Sequence, residues 1–239
     1  LTNYHVIDGA NSIKVTFSDG KEYTATYVGG EEANDIAVIK VEATGLTPVV
    51  IGSSSDMLVG EQVTTIGNPL GELTFSETTG IISALDREVE VDGTTMVLIQ
   101  TSAAINFGNS GGALINQYGQ VVGVTTIKIV TEDGSAEALG FAIPTTRVKY
   151  VVDRLIDGQV IHTGVFGFTV YTFPAEGGGL EIMDVTPSSD AYAKGIRPGD
   201  ILLAANGQTI TSTQDLTRLK QSLGLGDTVP ISGMDRATQ

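Results

Sequence analysis

Gly108-Asn109-Ser110-Gly111-Gly112 places one serine between glycines at positions −2, +1 and +2. Glycine accepts backbone angles that other residues avoid, so this serine can sit on a tight turn. With no side chains crowding it, the N–H groups of Gly108 and Ser110 can converge on one point. That point could hold the negative oxygen of a tetrahedral acyl intermediate. The same five residues also fit a glycine-rich turn with an incidental serine, and residues elsewhere in the chain must separate the two readings.

A serine hydroxyl is a poor nucleophile near neutral pH and needs a base, normally histidine, which a carboxylate orients. The chain holds two histidines. His162 falls between a helix and a second domain, where a solvated linker histidine is expected. His5 lies in Thr2-Asn3-Tyr4-His5-Val6, upstream of a hairpin. Asp35 sits in Asn34-Asp35-Ile36-Ala37-Val38, one acid directly before an apolar strand, where it can be drawn toward the core. Glu31 and Glu32 nearby read as exposed turn charges.

Around these residues the pattern is mostly β. Residues 12–17 and 22–28 form a hairpin through Asp19-Gly20. Further strands are predicted at 36–41, 49–51, 62–66, 74–84, 96–101, 121–130 and 139–143, divided by turns at Gly67-Asn68-Pro69, Asp92-Gly93 and Tyr118-Gly119. Many short strands with regular turns predict antiparallel barrels or a sandwich. Val148, Val151, Val152, Leu155 and Ile156 then follow a helical stripe, which Thr145 or Thr146 can cap and Gly158 can end. This helix closes a first domain at 1–160. A second, at 161–239, carries strands at 166–171, 180–185, 201–205 and 229–231 and a short helix at 189–194. Its longer helix spans 213–223, with Ser212 and Asp215 close to a capping box.

Composition excludes several functions. The net charge is −15 with no compensating basic patch, so nucleic acid and anionic membranes are repelled. Without cysteine there is no disulfide or thiol chemistry. Two histidines and no HExxH leave no recognisable zinc site, and Gly177-Gly178-Gly179 lacks the Lys-Ser/Thr of a P-loop. No cofactor is expected. No apolar run approaches the ~20 residues that span a bilayer.

His5, Asp35 and Ser110 occur in the order used by trypsin-like double-barrel serine proteases. T-N-Y-H-V, N-D-I-A-V and A-A-I-N-F-G-N-S-G-G-A-L resemble the three signature segments of the HtrA (DegP-like) serine proteases. G-F-A-I-P-T-T-R-V-K-Y-V-V-D-R-L-I resembles the stretch that leaves that family's protease domain. Residues 161–223 resemble the PDZ domain that follows, through G-V-F-G-F and K-G-I-R-P-G-D-I-L-L-A-A-N-G-Q-T-I. The resemblance covers nearly the whole chain. It implies a mostly β fold, a trypsin-like double β-barrel whose first barrel lacks its N-terminal strand, plus an α+β PDZ domain truncated at its C-terminus.

By that resemblance His5 is general base then acid, Asp35 orients it, and Ser110 attacks the peptide carbonyl. Gly108 and Ser110 supply oxyanion N–H groups, with Asn109 shaping the loop. Ile105 would line the pocket for the residue before the scissile bond, and Thr126-Ile127-Lys128 would pair with the substrate backbone. No fixed charge sits at Ala104 or Ile105, so small or medium aliphatic side chains are favoured. Gly164-Val165-Phe166-Gly167-Phe168 would hold a peptide's C-terminal carboxylate through backbone N–H groups, with β-augmentation on the strand that follows. Phe166 and Phe168 also fit a core role. The expected activity is ATP-independent endoproteolysis of misfolded polypeptide; a latent, chaperone-like peptide-binding protein is the alternative. The resemblance further implies a homotrimer and an extracytoplasmic, membrane-anchored location. The chain departs from the family at Ser102, usually Asp, and at Phe107, usually Pro. The second change frees φ just before the oxyanion glycine.

Overall fold

A computed structural model describes residues 1–68, 76–91, 94–106, 108–128, 139–159, 161, 165–221, 223 and 227–235. Phe107, His162, Gly164, Pro69, the Asp92-Gly93 turn and the end of the 121–130 segment lie outside them. The chain divides into two compact units, Leu1–Val160 and Ile161–Gln239.

The first unit opens with a short helix α1 (Tyr4–Ile7), then the antiparallel sheet β1 (Ile13–Thr16), β2 (Glu22–Glu31) and β3 (Ile36–Val41). The predicted Asp19-Gly20 hairpin joins β1 to β2, with Gly20 N–H donating to the Phe17 carbonyl at 2.9 Å. This half is an open three-stranded sheet. Reciprocal hydrogen bonds tie Thr2 to Ala37 on β3 at 3.0 and 2.9 Å. Ile36 and Ala37 are fully buried, so the apolar run after Asp35 anchors that residue to the core.

Six further strands close a barrel in the order β4-β5-β6-β9-β8-β7. They are β4 (Gln62–Gly67), β5 (Ser76–Val91), β6 (Thr94–Thr101), β7 (Ala113–Asn116), β8 (Val121–Lys128) and β9 (Gly140–Pro144). Met57, Val63, Ile82, Ile99, Leu114, Val122 and Ala142 fill its interior. β7 follows Ser110 directly and has no counterpart among the predicted strands, because a four-residue segment is too short to show alternation. The expected strand at 49–51 reduces to one parallel bridge, Ile51 to Val121.

Helix α2 (Thr145–Ile156) buries Val148, Val151 and Leu155 as its stripe predicts, each worth about 1.5–3 kcal/mol on full burial. Ile156 is exposed instead. The predicted cap does not form: Pro144 occupies the cap position, and Thr145 bonds a distant segment. Its hydroxyl donates to the Gly52 carbonyl at 2.9 Å and accepts from Ser54 N–H at 3.0 Å. The other end is as expected. Gly158, at φ +67°, donates to Leu155, and Gln159 N–H reaches back to the Arg154 carbonyl, closing the helix in a Schellman motif.

In the second unit β10 (Phe168–Pro174), β11 (Leu180–Val185), β12 (Ile201–Ala205) and β13 (Gln208–Thr209) lie in chain order, and β14 (Ile231–Met234) pairs with β12. β10 is therefore an outer strand. Helix α3 (Asp190–Ala193) is capped by Ser189, whose hydroxyl accepts from Tyr192 N–H at 3.1 Å. Helix α4 (Thr213–Gln221) begins with the predicted box: Asp215 N–H donates to Ser212 Oγ at 3.3 Å and Ser212 N–H to Asp215 Oδ2 at 3.0 Å. Leu216 and Leu219 carry α4 onto Leu180, Leu202, Ala205 and Ile210.

Candidate active site

Asp35 is held by its position rather than by its own sequence context. The turn before it, Glu32–Asn34, is a single 3-10 turn, and Asp35 leaves it in the left-handed conformation at φ 51°. Glu31 is not the exposed charge the sequence suggests. Its carboxylate accepts from Asn34 N–H at 2.6 Å and from the Asn34 side-chain amide. Asn34 in turn accepts from Arg147 Nε on α2 at 2.5 Å. Burial of that guanidinium pushes its pKa down, and the Glu31 charge opposes the shift. Asn3 Nδ2 donates to the Asp35 carbonyl at 2.9 Å.

The Asp35 carboxylate then does two things at once. Oδ1 accepts from the His5 backbone N–H at 3.0 Å, standing in for a cap at the start of α1, where Asn3 provides no side-chain bond. Both carboxylate oxygens lie 2.9 Å from His5 Nδ1. An ionised carboxylate can only accept, so Nδ1 carries a proton, and in the neutral ring Nε2 presents a lone pair. The hydrogen bond to Asp35 raises the His5 pKa above its ordinary 6.5; partial burial opposes this and the Asp35 charge adds to it. The ring is half exposed and the carboxylate largely buried, at 51% and 13%.

Ser110 lies in the loop between β6 and β7. Gly108 is at φ +96°, and Asn109 N–H donates to the Asn106 carbonyl at 3.0 Å across the turn. Asn109 is buried and donates from Nδ2 to the Ala104 carbonyl at 3.1 Å. Asn68 N–H binds the Gly108 carbonyl at 3.0 Å. Among the described residues, neither Gly108 N–H nor Ser110 N–H donates to a backbone carbonyl.

Thr126 on β8 joins the two halves. Its hydroxyl donates to Asp35 Oδ2 at 2.5 Å, and its carbonyl accepts from Ser110 Oγ at 2.8 Å. Among the described residues no hydrogen bond links Ser110 to His5. From sequence Thr126 offers only backbone for substrate pairing, since nothing in a β-strand threonine announces a carboxylate partner. Ile127 and Lys128 continue β8. Ile105 is only 3% exposed and covers Gly140 on β9, where an added Cβ would meet Ile105 Cδ1 at 2.8 Å. Ser102, in place of the family's usual aspartate, accepts Ile81 N–H at 3.0 Å.

In the second unit the Phe166 and Phe168 rings stack at 5.5 Å and pack against the Leu180–Leu219 core cluster. Their side chains are thus core, and what the loop offers outward is backbone. Gly167 is at φ +75°, and a Cβ there would lie 2.3 Å from Ser189 Cβ, so only glycine fits. Its carbonyl accepts from Thr186 N–H at 2.8 Å. Among the described residues the N–H groups of Val165, Phe166 and Gly167 donate to nothing, and Val165 is 82% exposed.

A closed six-stranded barrel with a glycine-turn serine, facing an open sheet with an aspartate-held histidine, has the architecture of a trypsin-like serine protease unit, and the second unit that of a PDZ domain. Comparison with known proteins agrees. Residues 1–124 match the trypsin-like peptidase domain and residues 181–224 the PDZ domain. The chain is 37% identical over 254 residues to the serine protease Do-like HtrB of Bacillus subtilis, covering 97% of this chain and 55% of that protein. It is 40% identical over 235 residues to a probable periplasmic serine endoprotease DegP-like of Chlamydia trachomatis, covering 94% and 46%. Among solved structures, the HtrA-type protease AlgW with tripeptide superposes with TM-score 0.80 at 33% identity, covering 98% of this chain and 80% of that one. The chain belongs to the HtrA family of serine proteases. It spans about half the length of the curated relatives it matches.

Proposed function

We propose that this chain carries the proteolytic and peptide-binding machinery of an ATP-independent serine endoprotease that cuts misfolded polypeptide. The observation that supports the reading is that Thr126 bonds both Asp35 and Ser110 while His5 shares the same Asp35 carboxylate. In this mechanism Ser110 Oγ turns from the Thr126 carbonyl toward His5, and Nε2 takes its proton as the oxygen attacks the peptide carbonyl. The oxyanion rests on Gly108 and Ser110 N–H, and the imidazolium, steadied by Asp35, protonates the leaving amine. Ile105 would line the pocket for the residue before the cut, which favours small or medium aliphatic side chains. β8 at Thr126, Ile127 and Lys128 supplies backbone pairing to the substrate.

In the second domain we assign peptide C-terminus binding to the N–H groups of Val165, Phe166 and Gly167, which donate to nothing among the described residues, with Phe168 opening the outer strand β10 for β-augmentation. Relatives named periplasmic support an extracytoplasmic setting. The homotrimer and an anchoring segment rest on family resemblance alone. A second reading, a latent form acting by peptide binding, is supported by the Ser110 hydroxyl facing Thr126 in place of His5.

Unfolded casein separates the readings. The parent chain is expected to fragment it, and Ser110→Ala to lose that activity. If both leave casein uncut yet suppress its aggregation equally, the latent reading holds; if Ser110→Ala cuts as fast as the parent, the nucleophile assignment is wrong. In the Ser110→Ala background a peptide with a free C-terminus should bind at least about tenfold tighter than its amidated form, the loss of one charge-assisted site. Equal affinity removes the carboxylate assignment.

A further inference from the structure

Thr125, the residue before Thr126 on β8, is fully buried and its side chain lies on the opposite face of the strand. Its hydroxyl donates to the carbonyl of Asn109, with the Gly112 carbonyl a second acceptor at 3.2 Å. The Asn109 carbonyl also accepts from Gly112 N–H at 2.9 Å. Two donors therefore converge on one oxygen, and that oxygen belongs to the peptide linking Asn109 to Ser110. The backbone of Thr125 completes the clamp: its carbonyl accepts from Gly111 N–H and its N–H donates to Gly112, both at 2.9 Å.

A trans peptide is planar, with its N–H directed opposite its C=O, and no cis peptide occurs among the described residues. Fixing the Asn109 oxygen therefore aims the Ser110 N–H. That N–H has no acceptor among the described residues. A carbonyl accepting two hydrogen bonds is also polarised, which makes the N–H of the same amide a stronger donor. We infer that Thr125 is a positioning residue for the oxyanion site: through the Asn109 carbonyl, its hydroxyl sets the direction and strength of the Ser110 N–H. The role rests on the protease reading above and adds to it a residue that touches neither substrate nor nucleophile.

The test compares Thr125→Val, which keeps the shape and removes the donor, with Thr125→Ser, which keeps the donor. Removing one oxyanion donor costs about 100- to 1,000-fold in kcat, so misaligning one should cost about 10- to 100-fold. KM for a peptide substrate should hold within about twofold, because the oxyanion forms only in the transition state. A peptide aldehyde, whose adduct with Ser110 places an oxygen in the same site, should lose affinity for Thr125→Val by the same factor as kcat. Thr125→Ser should recover activity to within about threefold of the parent. Should Thr125→Val fail to fold, Thr125→Ala against Thr125→Ser poses the same question, since both lack the methyl group and only one keeps the hydroxyl. Undiminished kcat in the variant lacking the donor overturns the inference. So does an equal loss in KM and aldehyde affinity, or a serine variant as impaired as the one without a hydroxyl. The outcome is separable from the parent reading: activity in Ser110→Ala defeats the protease assignment, whereas an inert Ser110→Ala beside a fully active Thr125→Val defeats only the role of Thr125.

Discussion

The two halves of the candidate site are held in different ways. Ser110 sits in a loop pinned on every side by backbone and buried side chains: Asn109 to Ala104, Asn68 to Gly108, and β8 to Gly111 and Gly112. His5 stands on a four-residue helix, its ring half exposed, and its orientation depends on one carboxylate. A short helix of this kind has little stability of its own. On the protease reading proposed above, the serine loop is the half organised in advance, while the proton relay hangs on Asp35 and closes when Ser110 leaves the Thr126 carbonyl. Electrostatic preorganisation must precede the reaction, because reorienting dipoles during it costs energy. A hydroxyl can change rotamer at little cost, so the relay tolerates late assembly.

The strongest test of this contrast is Asp35→Asn. If a single carboxylate organises the base, kcat should fall about 10,000-fold, while the oxyanion half stays intact. Peptide aldehyde affinity measured beside kcat would show whether the two halves separate. A loss far below 100-fold would mean that the helix places His5 unaided.

The same variant makes a pH prediction. The hydrogen bond from Asp35 raises the His5 pKa above 6.5 in the parent. Neutral His5 is the active base, so kcat/KM should climb with pH through a midpoint above that ordinary value. Asp35→Asn should move the midpoint down. For stability the sign is opposite: a raised histidine pKa contributes most below the unfolded-state value, and the contribution is lost as pH rises through the folded-state value. An unmoved acid limb in Asp35→Asn would show that Asp35 does not set the base.

Thr126→Val is the finer probe. It removes the hydroxyl bound to Asp35 Oδ2 and keeps the carbonyl bound to Ser110. Loss of a hydrogen bond to a charged group in this buried setting should cost about 1.5–3 kcal/mol in a urea titration. Activity should fall by less than in Asp35→Asn, since the carboxylate remains. A stability change near zero would mean that the bonds from Asn3 and His5 secure Asp35 without Thr126.

Much of this was legible before any coordinates. Ser110 announces itself through its glycines, His5 through the scarcity of histidine, and Asp35 through the apolar strand behind it. The Ser212–Asp215 box and the Gly158 stop were equally readable, because caps are local chemistry within four or five residues. The errors share one cause. Thr145 or Thr146 reads as a helix cap, yet Thr145 bonds Gly52 and Ser54 and Thr146 bonds Ser54; Glu31 reads as an exposed turn charge, yet it holds Asn34. In both, a polar side chain with a plausible local use or free exposure found partners that only the packed surroundings provide. β7 was missed for a related reason: Ala113-Leu114-Ile115-Asn116 is a strand because β4 and β8 flank it, not because of its own pattern.

The sequence alone determined the chemical inventory: one serine in a glycine turn, two histidines, one acid directly before a core strand, no cysteine and a net charge of −15. Those follow from residue type and short-range spacing. Tertiary structure decided how the inventory is wired. Thr125 and Thr126 are adjacent and of one type, yet strand alternation turns one hydroxyl to the oxyanion loop and the other to Asp35. Which threonine meets which partner depends on the register of β8 against β7 and β9, and that register belongs to the closed barrel as a whole.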